Sequence, residues 1–333
     1  MPVATYRFQL TPEFGFGAVA RQLDRLVTLG VSHVHLSPIA EAVPGSQHGY
    51  DVVDHREVRH ALGGSDGFEA LLDAAAGHGT SVLIDHVPNH VAADPLHNPN
   101  WRELLAGGPG SPGDAWFDVD WIAGDGRVIL PILGAPLGEA IAAGDVRFVP
   151  AEHDIDSAVE LGVGGTSLPI ANGTLVPDDL EATLAHQHYR LQHWRRPQRN
   201  VRRFFVVDDL VGVRVEVDRI AEIVDTIPAT YASHQAFAGV RLDHVDGLAD
   251  PEGYITALRD RLGPDALIYV EKIVAPDEWL PPQWPVEGTT GYEFMRATDQ
   301  VMLASESEQS FDTLWSGAVS YTHLTLPTNR VAG

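Results

Sequence analysis

The chain has 333 residues, with 22 Lys+Arg against 46 Asp+Glu and a formal charge of −24 at pH 7. That balance speaks against nucleic acid and anionic membrane as main partners, since both select Lys/Arg patches, but leaves a neutral ligand such as a sugar open. Cysteine is absent, which excludes disulfides, thiolate catalysis and zinc–sulfur sites, and an apolar fraction of 44% suffices for one large or two average domains. The opening residues, Met1-Pro2-Val3-Ala4-Thr5-Tyr6-Arg7, lack the charged and apolar regions of a signal peptide. No stretch approaches the roughly 20 apolar residues of a membrane span, so the expectation is a soluble, cytoplasmic protein.

Thr5 to Leu10 alternates, with Tyr6, Phe8 and Leu10 on one side, and reads as a strand. Val19, Leu23, Leu26 and Val27 form a helical stripe stopped at Gly30, and Val31 to Leu36 is a second strand ended by Pro38. Ser65 and Asp66 are candidate caps for a helix with Phe68, Leu71, Leu72 and Ala75 inward, closed by Gly77 and Gly79. Ser81-Val82-Leu83-Ile84 follows as a buried strand ending in Asp85. Strand, helix, strand, helix, strand is the grammar of a parallel sheet.

The rhythm then stops. Residues 91–212 are rich in Gly, Pro and Asp and are expected to form an inserted subdomain, because a structureless loop of that length does not suit a compact fold. Trp101, Trp116, Phe117, Trp121, Trp194, Phe204 and Phe205 are its candidate core. The beat resumes with Val217, Ile220, Ala221, Val224 and Ile227 at helical spacing, then a strand Ala238–Leu242 ending in Asp243. Asp250 as cap, Pro251 at the first helical position and Gly263 as stop mark a helix, and Leu267–Val270 is a fifth strand ending in Glu271. Five strands and four crossovers fit either an open doubly wound sheet or an eightfold β/α barrel. The barrel is favoured, because barrel active sites collect residues from the C-terminal ends of several strands and no glycine-rich phosphate loop follows the first strand. The expected organisation is barrel over 1–90 and 213–316, insertion over 91–212, and a tail from 317 to 333.

Asp85, Asp243 and Glu271 thus fall at one rim. Two carboxyl groups flanking a bond, one ionised and one protonated, are what glycoside cleavage requires. Arg241, two residues before Asp243 on a strand, points the same way and is expected to lower its pKa, as suits a nucleophile. Glu271 has Tyr269 in the equivalent place, so it is expected to stay protonated as a general acid. For any one of the three, a helix cap or a solvated loop position is an equally good reading; the three with Arg241 point to a site. His86 and His90, four apart, have helical metal-ligand spacing, but Pro88 between them speaks against a helix and no metal is expected. His90 is either a turn residue or a donor to sugar hydroxyls. Tyr50 either stacks on a sugar or pins its own loop.

The segments Asp85-His86-Val87-Pro88-Asn89-His90, Gly239-Val240-Arg241-Leu242-Asp243-His244 and Val270-Glu271 resemble, in order and placement, three of the four signature regions of the α-amylase superfamily of glycoside hydrolases. Further stretches narrow the resemblance, over about residues 3 to 316, to members that rearrange the reducing end of maltooligosaccharides. These are Thr5-Tyr6-Arg7-Phe8-Gln9, Pro44 to Asp51, Arg202-Arg203-Phe204-Phe205, Asp243 to Pro251 and Gly288 to Phe294. The resemblance implies a (β/α)8 TIM-type barrel, incomplete here at five to six units, and a retaining intramolecular transglycosylation. Asp243 would attack the anomeric carbon while Glu271 protonates the departing glucose. Glu271 would then act as base as that glucose's own anomeric hydroxyl displaces Asp243, giving an α,α-1,1 (trehalosyl) end. Arg241, His90, Tyr50, His244 and Asn89 carry over as substrate-positioning residues, with Asp85 shaping the site. The implied partner is a maltooligosaccharide, and no cofactor is implied.

The sequence departs from that pattern in two places. The superfamily's third catalytic aspartate usually follows a histidine past a later strand, whereas the His-Asp pair here, His153-Asp154, precedes the fourth strand. Residues 318–330 contain no acidic side chain and read as foreign, so the chain is expected to be an N-terminal piece, inactive and partly unfolded by itself. Two other functions compete: an α-amylase-type hydrolase with water as acceptor, and a non-catalytic barrel that binds oligosaccharide.

Overall fold

A computed structural model of the chain describes residues 2–151 and 159–325. The His153-Asp154 pair and the last residues of the expected tail lie outside the described residues. The frame is one six-stranded sheet: β1 (Thr5–Phe8), β2 (His33–Leu36), β3 (Ser81–His86), β4 (Phe237–Leu242), β5 (Leu267–Val270) and β6 (Gly288–Thr289), side by side in that order. Every pairing in it is parallel. Neighbouring strands are neighbours in sequence, as in a β/α barrel rather than a doubly wound sheet, whose order reverses part-way. The expected barrel type is therefore observed, with six units in place.

Register sets the chemistry. Arg241 stands opposite Asp85 on β3 and opposite Tyr269 on β5, while Leu242 pairs with both His86 and Val270. Asp243 and Glu271 are the first residues past their strands, so all three expected carboxylates reach the C-terminal rim. A shift in the β3–β4 register lies between Phe237 and Gly239. Gly239 has φ +137°, and a Cβ there would stand 2.0 Å from the Leu267 carbonyl oxygen, so only glycine lets β4 lie this close to β5.

Helices cover the outer face. Gly64–Gly77 buries Phe68, Leu71, Leu72 and Ala75, as the stripe predicts, each large side chain contributing about 1.5–3 kcal/mol. Its N-cap is Gly63 rather than Ser65 or Asp66, and no side chain caps it. The helix expected before β2 is two short ones, Phe16–Ala20 and Leu23–Thr28, with Val27 facing solvent. Pro251–Leu262 forms as expected, with the Asp250 side chain accepting from Gly253 N and Gly263 as C-cap. The stripe from Val217 is also broken in two, Asp218–Val224 and Thr226–Tyr231, and Asp225 sits buried at the junction.

Between β3 and β4 the chain leaves the sheet. His90–Ala92 pairs antiparallel with Leu210–Gly212. The residues between carry a parallel pair, Val128–Leu133 with Tyr189–His193, and an antiparallel three-stranded sheet from 146 to 168. Trp101, Trp116 and Phe117 are buried there, but Trp194 and Phe205 are not core: they are 54% and 68% exposed. Beyond β6 the helices Tyr292–Met302 and Glu308–Thr325 follow, the second running through Gly317; Phe294, Met295, Val301, Phe311, Leu314 and Trp315 lie exposed on them. Among the described residues no helix is long and apolar enough to cross a membrane.

Candidate active site

The rim carboxylates meet on one guanidinium. Arg241 Nη1 lies 2.6 Å from Asp85 Oδ1 and 2.7 Å from Asp243 Oδ1, and its Nη2 lies 3.1 Å from Glu271 Oε1. The strand positions of Asp85, Arg241 and the two residues just past β4 and β5 account for this convergence, since alternate strand side chains share a face. Glu271 therefore does have a guanidinium partner, which its own strand could not reveal. Its Oε2 also accepts from His244 N at 3.0 Å, and His244 holds a left-handed backbone with φ +50° to present that N–H.

Electrostatics differ from the expectation for Asp243. Burial pushes its carboxyl up to about 7; Arg241 opposes this, and the charges of Asp85 and Glu271 add to the rise. One arginine beside a buried carboxylate does not secure the ionised form when two further carboxylates share it. Arg241 itself is held firmly protonated by Asp85 and Asp243 despite its burial.

Tyr50 reaches the cluster from the loop of an antiparallel hairpin, Ala40–Ala42 with Val52–Val58, which sequence periodicity did not disclose. Its hydroxyl donates to Asp85 Oδ2 at 2.5 Å and accepts from Arg7 Nη2 at 3.2 Å. Burial, reinforced by Asp85, pushes its pKa up, so it stays a donor. The loop is gripped from two sides. Gln9 Nε2 donates to the Gln47 and His48 carbonyls, and the fully buried Arg59 donates to the Ser46 carbonyl at 2.6 Å. Gly49, with φ +80° and the Pro38 carbonyl 2.9 Å from where a Cβ would sit, lets the loop close down. Of the Thr5–Gln9 stretch, then, Arg7 and Gln9 serve the site directly.

His90 and His244 line the opposite side, whereas Asn89, expected beside them, is 1% exposed and lies behind the cleft wall. Burial lowers His90 to about 3 and His244 below its ordinary value, leaving both neutral near pH 7. Asn89 Oδ1 accepts from Arg202 Nη1 at 3.2 Å, and that guanidinium also reaches the Gly247 and Val213 carbonyls. Arg202 thus crosses from the inserted segment to the barrel. Phe204 packs on His90 at 4.4 Å and on His244 at 4.7 Å between ring centroids. A cleft of about 1380 Å³ runs past these residues and down the open inner face of the sheet, past Thr5, Arg7, His35, Leu83 and Tyr269. His35 Nε2 is buried without a hydrogen-bond partner, and burial lowers its pKa to about 4.

His86 and His90 do not form a pair. His86, one residue past Asp85, points to the helix side, where its Nε2 lies 2.9 Å from Asp225 Oδ1 and 3.1 Å from the Tyr254 hydroxyl. Tyr254 donates to the same Asp225 oxygen at 2.5 Å, and Arg261 Nη1 to the other at 2.7 Å. Among the described residues no group of three or more His, Asp or Glu is arranged to hold a metal ion.

The chain as a whole is similar to known proteins. The catalytic domain of alpha amylase matches residues 6–102. A Mycobacterium tuberculosis (strain H37Rv) protein, named as a maltooligosyl trehalose synthase, is 40% identical over 324 residues, which is 95% of this chain and 40% of that protein. The solved structure of maltooligosyltrehalose synthase from Arthrobacter ramosus superposes with a TM-score of 0.86 at 39% identity, covering 92% of this chain and 39% of that one. A Sulfolobus tokodaii structure described as a hypothetical maltooligosyl trehalose synthase gives 0.76 at 33% identity, over 88% and 38%. The chain thus spans about 40% of the length of the curated relatives it matches.

Proposed function

Since the chain belongs to the maltooligosyl trehalose synthase family of the α-amylase superfamily, we propose that its rim cluster converts the reducing-end α-1,4 bond of a maltooligosaccharide into an α,α-1,1 bond. The observation that carries this reading is the single guanidinium of Arg241 in contact with Asp85, Asp243 and Glu271. In it Asp243 is the nucleophile, forming a glycosyl ester at the anomeric carbon as the bond to the terminal glucose breaks. Glu271 gives its proton to the departing oxygen, then takes one back from the anomeric hydroxyl of the same glucose as that hydroxyl displaces Asp243. Arg241 and Asp85 fix the geometry; Tyr50, His90 and His244 orient the sugar, and Asn89 acts behind them by holding Arg202.

With a value raised to about 7, Asp243 is partly neutral near pH 7 in the free site, and the ionised fraction is the nucleophile. Three carboxyl groups share Arg241, with Arg7 a further 3.6 Å from Asp85, so the pocket holds a surplus of negative charge in a desolvated place. An oxocarbenium-like transition state brings positive charge to that spot, and the surplus stabilises it there without rearrangement. The ground state shows the same surplus as a carboxyl group reluctant to ionise.

The same reading takes 91–212 as a subdomain inserted into a barrel of 1–90 and 213–316. Six open strands leave the superfamily's third carboxylate unplaced among the described residues, so the chain by itself is expected to bind maltooligosaccharides without turning them over. Joined in frame to the C-terminal remainder of the Arthrobacter ramosus enzyme, it is expected to remove reducing ends from maltopentaose without a matching rise in free glucose. A rise in reducing ends would instead assign it as a hydrolase; binding with no turnover in the extended protein would favour a non-catalytic barrel.

A further inference from the structure

Phe205 is an aromatic side chain of the cleft rim that the fold leaves largely in solvent. It takes a left-handed backbone, φ +48°, which a phenylalanine adopts only under strain, and it is 68% exposed. The segment around it is nonetheless held firmly. Asp208 receives Arg199 through two 2.7 Å contacts and Arg203 through a third, and Arg202 is tied to Asn89 and to the Gly247 and Val213 carbonyls. The Phe205 ring packs on Phe204 at 4.7 Å and on His244 at 4.6 Å, and it lines the cleft. His244 is the residue whose N–H donates to Glu271. A strained, exposed and braced ring is therefore attached to the turn that orients Glu271.

We propose that Phe205 is a stacking platform for the glucopyranosyl unit on the leaving-group side of the site. The assignment of side rests on the preceding reading, in which Glu271 protonates the departing glucose. The chemistry suits the task. A pyranose presents an apolar face of C–H groups to an aromatic ring, and that contact has no hydrogen-bond directionality. An intramolecular transfer must keep the freed glucose while its anomeric hydroxyl swings to the place its former bridging oxygen held. A flat apolar surface permits turning in the plane of the ring and resists departure; a set of hydrogen bonds would hold the glucose in one orientation.

The test uses the in-frame extended protein, carrying Asp243→Asn so that maltopentaose is bound without turnover, titrated calorimetrically. Phe205→Ala is expected to weaken binding about tenfold and Phe205→Tyr by less than twofold. Phe205→Gly separates a ligand role from packing: it is expected to lose the same affinity while unfolding at a higher temperature, because glycine adopts this backbone without strain. Unchanged affinity in the Ala and Gly variants overturns the platform, as does a lower unfolding temperature for Phe205→Gly. If the extended protein with Phe205 intact fails to bind maltopentaose, the sugar-site reading falls and takes the platform with it; binding that ignores Phe205 removes the platform alone.

Discussion

Strand β3 separates two polar networks built from consecutive residues. Asp85 faces the cleft and joins Arg241, Asp243, Glu271 and Tyr50; His86 faces the helices and joins Asp225, Tyr254 and Arg261. Both are buried and both centre on an arginine and a carboxylate. They differ in balance. Behind the strand, Tyr254 and Arg261 donate to the two oxygens of one aspartate, with the His86 ring nitrogen 2.9 Å away, so one guanidinium serves one carboxylate. In front, one guanidinium is divided among three carboxylates, and burial leaves Asp243 at about 7. A network with one guanidinium per carboxylate holds elements together, whereas one short of positive charge is the kind that the proposed chemistry requires.

The comparison can be broken most sharply at Asp243. Asp243→Asn in the extended protein should lower turnover of maltopentaose by at least about 10³-fold, since the amide cannot form the glycosyl ester, while leaving the fold intact. An undiminished rate would remove Asp243 from the chemistry. Asp225→Ala should do the reverse. It strands Arg261 and His86 behind the sheet and should destabilise the chain by about 3–5 kcal/mol in urea unfolding, as removal of one partner of a buried ion pair does. Should it cost less than Asp243→Ala, the two networks have been assigned the wrong way round.

The smallest effect is also the most specific. Asp243 binds a proton in the folded chain at pH values where the unfolded chain has released it, because its folded value of about 7 lies above the ordinary carboxylate range. Its contribution to stability is therefore full below about pH 4 and lost as pH rises through about 7. Asn at this position cannot ionise, so Asp243→Asn should gain on the unsubstituted chain across that window, by on the order of 4 kcal/mol at most. Parallel stability curves from pH 4 to 8 would mean that Asp243 is not held up by burial.

The frame was legible because its signals are local. Apolar runs of four to six residues, each ended by a carboxylate, marked β3, β4 and β5, and the Asp250-Pro251…Gly263 punctuation marked a helix to the residue. The partners that define the site's electrostatics were not legible. Arg241 reaches Asp85 across 156 positions and His86 reaches Asp225 across 139, and Arg202 finds Asn89 across 113. No periodicity encodes such pairings, so Arg241 was assigned only to Asp243, its neighbour in sequence. Asp225 was passed over because it lies in the break of a stripe that read as one helix. Phe205 reads as core because aromatic character alone does not tell burial from display; its 68% exposure is set by how the segment folds onto the rim.

The antiparallel pairing of His90–Ala92 with Leu210–Gly212 has an evolutionary consequence. It brings the two ends of the intervening segment side by side, so a barrel with a short turn at this point could have acquired the whole segment without moving β3 or β4, and an engineered turn could remove it again. Loop closure over so short a gap adds little entropy, so the trimmed barrel should fold at least as readily. What it would surrender is Arg202 and the two phenylalanines beside it. In this architecture the sheet strands carry the carboxylates gathered on Arg241, and the segment between β3 and β4 brings Arg202, Phe204 and Phe205 up to them.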